Sequence, residues 1–172
     1  MNRKVRLPLV IGQAPGRPTD AGYLSPFEGP CGARLASLLD VEWRHFICMV
    51  DRINLVQEWP GKSGRGDRFP RARGTIAAQA MLSSGMLDGR KVVFLGKEVA
   101  RCFGMSQLSY LSMHYLSMHA VWPICAEVFL LPHPSAVNAW WNDPKNVRAA
   151  SRALKVFLST NKSQVTLSHS AS

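Results

Sequence analysis

The chain has 172 residues, enough for one domain with a hydrophobic core, and 47% of them are apolar, which excludes an intrinsically disordered protein. Lysine and arginine outnumber aspartate and glutamate by 21 to 11, and the net charge of +10 predicts a polyanionic partner. Nucleic acid is favoured over an anionic membrane because no long basic amphipathic helix is evident. The apolar stretch behind the basic residues 2–6 is too short for a signal peptide or a membrane span, so we expect a cytoplasmic protein.

Four apolar, β-rich runs alternate with helical patterns along the chain. The predicted strands are residues 7–11, 46–55, 92–95 and 128–131. The predicted helices are residues 32–39, 73–87, 97–103 and 144–158, the last capped by Asn142 and Asp143. The alternation predicts an α/β fold over residues 1–158, a single three-layer domain with a short parallel four-stranded sheet flanked by helices. We expect the Ser/Thr-rich tail 159–172 to be flexible.

One stretch before the last strand does not fit this alternation. The pentad Tyr-Leu-Ser-Met-His occurs twice in tandem within residues 110–119, at an offset that matches neither helical nor strand periodicity. Residues 110–122 are therefore predicted to be an insertion that shapes a pocket or its entrance.

The cysteines and histidines do not predict a metal site. None of the four cysteines forms a C-x-x-C pair, and they are expected to be reduced thiols. His114 and His119 have no acidic companion close in sequence. We therefore expect no metal and no cofactor.

Two polar loops directly follow predicted strands. Gly12-Gln13-Ala14-Pro15-Gly16 follows the first strand, and His133-Pro134-Ser135 follows the last. Ligands of open α/β sheets bind at the carboxyl ends of the strands, so the two loops are placed to converge on one site. An amide on one loop and an imidazole on the other favour chemistry on a polar, planar group.

Five blocks in chain order resemble the uracil-DNA glycosylase superfamily, over most of the chain. The first loop is similar to the family's water-activating loop, and Pro26-Phe27-Glu28-Gly29 to the block whose aromatic residue stacks on the extruded base. Asn54 falls where the family places its base-reading asparagine. Residues 92–97 resemble a later strand-to-helix turn, and His133-Pro134-Ser135 matches the motif whose histidine contacts the base carbonyl.

The resemblance implies a monofunctional DNA glycosylase without a cofactor, acting as a monomer on single- or double-stranded DNA. Gln13 would position a water, and His133 would donate a hydrogen bond to the base O2. The base pocket would hold Phe27, Asn54, Gly12 and Ala14. The predicted DNA contacts are Ser135, Val137, Lys62, Arg65, Lys145 and Arg148. No lysine occupies an obvious nucleophile position, so strand cleavage is not expected.

The sequence departs from the branch with the most similar first loop at two points. That branch has glutamate where this chain has Gln13, and it commonly holds an iron–sulfur cluster whose cysteines are absent here. An amide has no accessible basic pKa, so Gln13 can orient a water but cannot deprotonate it. Uracil is the default target, and the departures allow a modified pyrimidine, such as a hydroxymethylated or glucosylated base of viral DNA.

Other readings of the same residues stay open. The chain could be a DNA-binding module that has lost catalysis, or a hydrolase of free nucleosides. His133 could bond a neighbouring carbonyl, Gln13 could cap its own loop, and Asn54 could simply end a strand. Trp140 and Trp141 are alternatives to Val137 as the duplex wedge, or they anchor the last helix to the core. The basic loop 62–73 either contacts phosphates or is merely solvated.

Overall fold

A computed structural model describes residues 6–17, 26–64, 66–117 and 125–159. The predicted tail lies outside these residues apart from Ser159, which ends the last helix. No helix in the described ranges is long and apolar enough to cross a bilayer.

Five strands form one sheet in which four neighbours are parallel and one edge strand is antiparallel. Its strands are β1 (Leu9–Gly12), β2 (Asp51–Asn54), β5 (Lys91–Leu95), β6 (Met113–Ser117) and β7 (Cys125–Leu131). Their spatial order is β2–β1–β5–β7–β6, with β6 antiparallel to β7. The short strands β3 (Lys62–Ser63) and β4 (Gly66–Asp67) form a separate hairpin within the basic loop.

Helices cover both faces of the sheet. They are α1 (Pro30–Leu38), α2 (Trp43–Met49), α3 (Arg71–Ser83), α4 (Lys97–Cys102) and α5 (Pro144–Ser159), with a short 3-10 helix at Ala139–Asn142. Buried residues of α3 and α4, including Met81 and Val99, pack in the core on one face. Leu35, Phe46 and Leu154 pack in a second core on the other face. The predicted three-layer α/β fold is confirmed.

Helix α5 shows how the sequence specifies one of these layers. Ala150, Leu154 and Phe157 are buried at spacings of four and three residues, which places them on one helical face. The Asp143 carboxylate accepts a hydrogen bond of 2.8 Å from the Lys145 amide, so the predicted cap is present.

The predicted second strand, residues 46–55, is wrong in its first half. Residues 43–49 form helix α2, Val50 is extended, and the strand itself comprises only Asp51–Asn54. Phe46 is buried while Arg44, His45 and Cys48 are exposed, a helical distribution of burial. A short apolar run has no period of its own that separates a buried strand from a buried helix, and packing against α1 decides the outcome here.

The predicted sheet also lacked its antiparallel edge strand. Residues 113–117 form β6, which pairs with β7 from Met113↔Phe129 to Ser117↔Cys125. Met113 and Tyr115 are exposed whereas Leu116 is buried, so burial alternates along β6 as expected for a strand. Residues 118–122 of the predicted insertion lie outside the described ranges.

The parallel strands bring the predicted loops to one edge of the sheet. Gly12 pairs with Asn54, and Leu95 pairs with Leu131, so the four chain segments leave the sheet at nearly the same level. The segments that begin at residues 13, 55, 96 and 132 therefore border one region.

Candidate active site

A cleft of about 710 Å³ opens at this edge of the sheet. Seven residues predicted from the sequence to form the site line it or lie at its rim: Gln13, Ala14, Phe27, Asn54, His133, Ser135 and Val137. Arg68 of the predicted basic loop and Tyr110 of the predicted insertion also line it, together with Arg17 and Asn138, which were not predicted to be site residues. The fold thus collects side chains from widely separated parts of the chain in one cavity.

Gly12 lies beneath one side of the cleft, where it lets two other residues approach the end of β1. A methyl group on its Cα would overlap the Phe27 ring and the Asn54 Oδ1. Phe27 itself has a left-handed backbone with φ of 65°, which is unfavourable for a residue with a side chain. We call Gly12, Phe27 and Asn54 the reading side of the cleft.

The side-chain oxygen of Asn54 is a buried hydrogen-bond acceptor on the reading side. The side chain is only 3% exposed, and its Oδ1 has no hydrogen-bond partner among the described residues. The Asn54 carbonyl, in contrast, accepts a hydrogen bond from Gln57 Nε2. A buried acceptor without a partner is costly, and at a cleft it favours a ligand that brings a donor.

Gln13 and His133 both adjoin one glycine, Gly96. Gly96, with φ of 93°, follows β5 directly, and its amide donates to the Leu131 carbonyl. A methyl group on its Cα would lie 3.2 Å from Gln13 Nε2 and 3.1 Å from His133 Cβ. The amide and the imidazole of the two predicted loops are therefore neighbours.

The orientation of the His133 ring is set within its own loop. The Ser135 amide donates to His133 Nδ1 over 3.3 Å. Because Nδ1 accepts, the proton of the neutral imidazole is on Nε2, which makes Nε2 a hydrogen-bond donor. We call residues 133–138 the His133 loop.

Side chains also bind the first carbonyl of the His133 loop. The His133 carbonyl accepts 2.8 Å from Trp141 Nε1 and 2.9 Å from Asn138 Nδ2. Trp141 is buried, so it anchors this loop to the core, whereas half-buried Trp140 packs edge-on against Tyr110. The anchoring alternative for the tryptophan pair is thus the one that fits Trp141.

The comparison with protein families identifies this chain. A family model described as the uracil DNA glycosylase superfamily matches residues 4–156. The protein belongs to the uracil-DNA glycosylase superfamily. The prediction from the five sequence blocks is confirmed, and no curated protein matches the chain.

Of the cations predicted to contact DNA, the three that the structure describes lie outside the cleft lining. Lys62, Lys145 and Arg148 are exposed but do not line the cleft, and Arg65 lies outside the described residues. Arg17 and Arg68 line the cleft instead. The sequence signals for both were available, since Arg68 belongs to the basic loop and Arg17 follows the first motif.

Tyr110 is the described part of the predicted insertion that reaches the cleft. Burial raises the pKa of its hydroxyl, and the Arg101 guanidinium partly opposes this shift. The Lys97 ammonium lies 5.2 Å from the centre of its ring. The tyrosine is therefore held in place at the cleft wall by its neighbours and bears no charge near neutral pH.

The described residues contain no group of three or more histidine, cysteine or acidic side chains placed to hold a metal. Cys31, Cys48 and Cys102 are not in disulfide bonds. An iron–sulfur cluster requires about four thiolates brought together, so this donor set does not fit the cluster of the related branch.

Proposed function

We propose that this protein is a monofunctional DNA glycosylase that extrudes a pyrimidine from DNA and hydrolyses its N-glycosidic bond, leaving an abasic site. Membership of the superfamily supports glycosylase chemistry in general. The observation that carries the specific proposal is the Oδ1 atom of Asn54, a residue that lines the cleft: this atom is buried next to Gly12, close to the Phe27 ring, and has no hydrogen-bond partner among the described residues.

The Asn54 oxygen recognises a base through a hydrogen bond that the base must donate. A pyrimidine with N3–H, such as uracil, presents that donor on its Watson–Crick edge, and the Asn54 amide group can donate in return. Phe27 supplies an apolar face on which an extruded base stacks. The reading side therefore suits a flat, polar ring that has left the duplex.

Bond cleavage leaves negative charge on the departing base and positive character on the sugar. The Nε2–H of His133 donates to the base O2, where that negative charge develops. The Gln13 amide oxygen orients a water toward C1′. The water oxygen bonds to C1′, the C1′–N1 electron pair leaves with the base, and the water proton is released to solvent.

Uracil is the proposed base, and a hydroxymethylated or glucosylated pyrimidine is the alternative. Gln13 favours a second candidate function, a DNA-binding module with little or no catalysis, because an amide cannot remove the proton of the water. A panel of DNA substrates separates these three possibilities.

DNA is the proposed partner, since Arg17 and Arg68 lie in the cleft and the net charge is +10. Lys62, Lys145 and Arg148 would contact phosphates farther from the extruded base. Val137 is 76% exposed beside the cleft, where it is placed to enter the stack that the base vacates. Affinity should fall steeply with salt, which a hydrolase of free nucleosides would not show.

The test uses end-labelled single- and double-stranded DNAs that carry uracil, thymine mismatches, or hydroxymethyl or glucosylated pyrimidines. Alkali reveals abasic sites as strand breaks. We expect excision of one base, and His133→Ala should lower its single-turnover rate constant by about 100- to 1000-fold through loss of the hydrogen bond to O2.

His45→Ala is the matched control, since His45 is exposed on α2 and does not line the cleft. Excision that survives His133→Ala would contradict the assigned chemistry. Salt-sensitive DNA binding without excision of any base would instead establish the binding module.

A further inference from the structure

Arg34 connects helix α1 to the His133 loop. Its Nη1 donates to the Pro134 carbonyl at 2.8 Å and to the Ser135 carbonyl at 3.0 Å. The guanidinium carbon lies 5.5 Å from the centre of the Trp141 ring. The side chain is half-buried, and it has no place in the five sequence blocks that resemble the superfamily.

Three consecutive carbonyl groups of the His133 loop accept hydrogen bonds from the side chains of Arg34, Asn138 and Trp141. The His133 carbonyl accepts from Asn138 and Trp141, as described above, and the next two accept from Arg34. The Ser135 carbonyl also accepts a hydrogen bond of 3.2 Å from the backbone N–H of Asn138. The backbone from residue 133 to residue 135 is therefore fixed on its carbonyl side.

The planarity of one peptide group links this fixation to the imidazole. In a trans peptide the C=O and the following N–H point in opposite directions. Arg34 holds the Pro134 carbonyl, so the Ser135 N–H of the same peptide group points away from Arg34. That N–H is the group that donates to His133 Nδ1.

We propose that Arg34 is a positioning residue, which keeps His133 in the Nε2–H tautomer by fixing the peptide group between Pro134 and Ser135. The proposal rests on the proposed glycosylase function, in which that tautomer donates to the departing base. Arg34 touches neither the base nor the water, and it acts through the orientation of one peptide N–H.

Arginine suits this role better than lysine. One planar guanidinium serves two carbonyls while its face lies on Trp141, and an ammonium has no such face. Arg34→Lys should therefore recover only part of the function lost in Arg34→Met.

The experiment combines excision kinetics with 15N NMR of the histidine rings in the DNA-free protein. Arg34→Met should lower the single-turnover rate constant by about 30- to 100-fold, as expected for a misplaced catalytic group, and change DNA affinity less than about threefold. In its spectrum the His133 ring should show a population with the proton on Nδ1. Arg44→Met is the control, because Arg44 is exposed on α2 and does not line the cleft.

Two results would overturn the proposal: a folded Arg34→Met protein with wild-type His133 signals, or one whose rate constant stays within threefold. If Arg34→Met does not fold, Arg34→Lys is judged by the same two criteria, with a smaller shift in the same direction as the supporting result. The NMR measurement needs no DNA, so a protein that excises no base would refute the proposed function while the tautomer readout still decides the role of Arg34.

Discussion

The two sides of the cleft satisfy their polar groups in opposite ways. In the His133 loop, the carbonyls of residues 133–135 all accept hydrogen bonds from the protein itself. On the reading side, the Asn54 Oδ1 is buried with no partner among the described residues. The protein itself therefore fixes the His133 loop, whereas the reading side leaves one buried acceptor unpaired among the described residues.

The reading side also concentrates the cost of forming the cleft. An unsatisfied buried acceptor costs about 1–3 kcal/mol, and the left-handed backbone of Phe27 adds about 1–2 kcal/mol. Gly32 helps to hold this conformation, because a methyl group on it would overlap the Phe27 carbonyl and the Trp43 ring. Both costs arise at residues that line the cleft, where contacts with a bound ligand would offset them.

The largest effect is expected from a substitution of Asn54 on the reading side. Asn54→Leu removes the unsatisfied oxygen and keeps the branched shape of the side chain at a larger volume. The free energy of unfolding should rise by about 1 kcal/mol, the part of the desolvation penalty that exceeds the cost of accommodating the larger side chain. Excision should fall by about 100- to 1000-fold, because the base loses its hydrogen-bond partner in a dry pocket. Denaturant unfolding and single-turnover kinetics measure the two changes.

Asn142→Leu is the control for that substitution, since Asn142 is exposed and does not line the cleft. A variant that loses stability would mean that the amide is satisfied in the folded protein. A variant that still excises the same base would remove Asn54 from base recognition.

The second prediction tests whether removal of the water proton limits the rate of excision. Gln13→Glu places a potential general base beside His133, and general bases contribute about 100-fold or more. We expect excision to speed up by about 100-fold near neutral pH.

The excision rate of Gln13→Glu should depend on pH, and the charge of the introduced carboxylate sets the direction of that dependence. The carboxylate must be ionised to accept a proton, so the rate should rise with pH through the ordinary glutamate pKa of about 4.3 and then level off. Wild type should lack this limb, and Gln107→Glu, at an exposed site outside the cleft lining, should behave like wild type. An unchanged rate would indicate that water activation is not the limiting step.

The sequence predicted the residues that lie at strand ends better than those that support them. Gln13 directly follows a strand, Asn54 ends one and His133 lies two residues beyond one, and the parallel sheet alone brings such positions together. Arg34 escaped prediction because a helical arginine carries no local sign that it will bind carbonyls 100 residues away. Asn138 and Trp141 lie within the same segment as His133, yet their bonds to its carbonyl depend on how the loop turns back.

The same distinction explains the two errors in the fold. Residues 43–49 and 113–117 are both short, and neither period nor composition decides their conformation. Contacts with α1 make the first a helix, and pairing with β7 makes the second a strand. The described structure shows β6, whereas residues 118–122 of the predicted insertion lie outside the described ranges.

The smallest effect is expected from a substitution of Val137, at the exposed tip of the His133 loop. Val137 is 76% exposed, so Val137→Ser should change the free energy of unfolding by less than about 0.5 kcal/mol. If the side chain fills the stack vacated by the base, excision from duplex DNA should fall by about fivefold, the scale of a small apolar contact. Single-stranded DNA has no stack to fill, so its excision should not change. Ile76→Ser, at a site on α3 that is 71% exposed, controls for the loss of surface apolar area. An equal loss on both DNA forms would assign Val137 to the base pocket instead, because only a wedge distinguishes a duplex from a single strand.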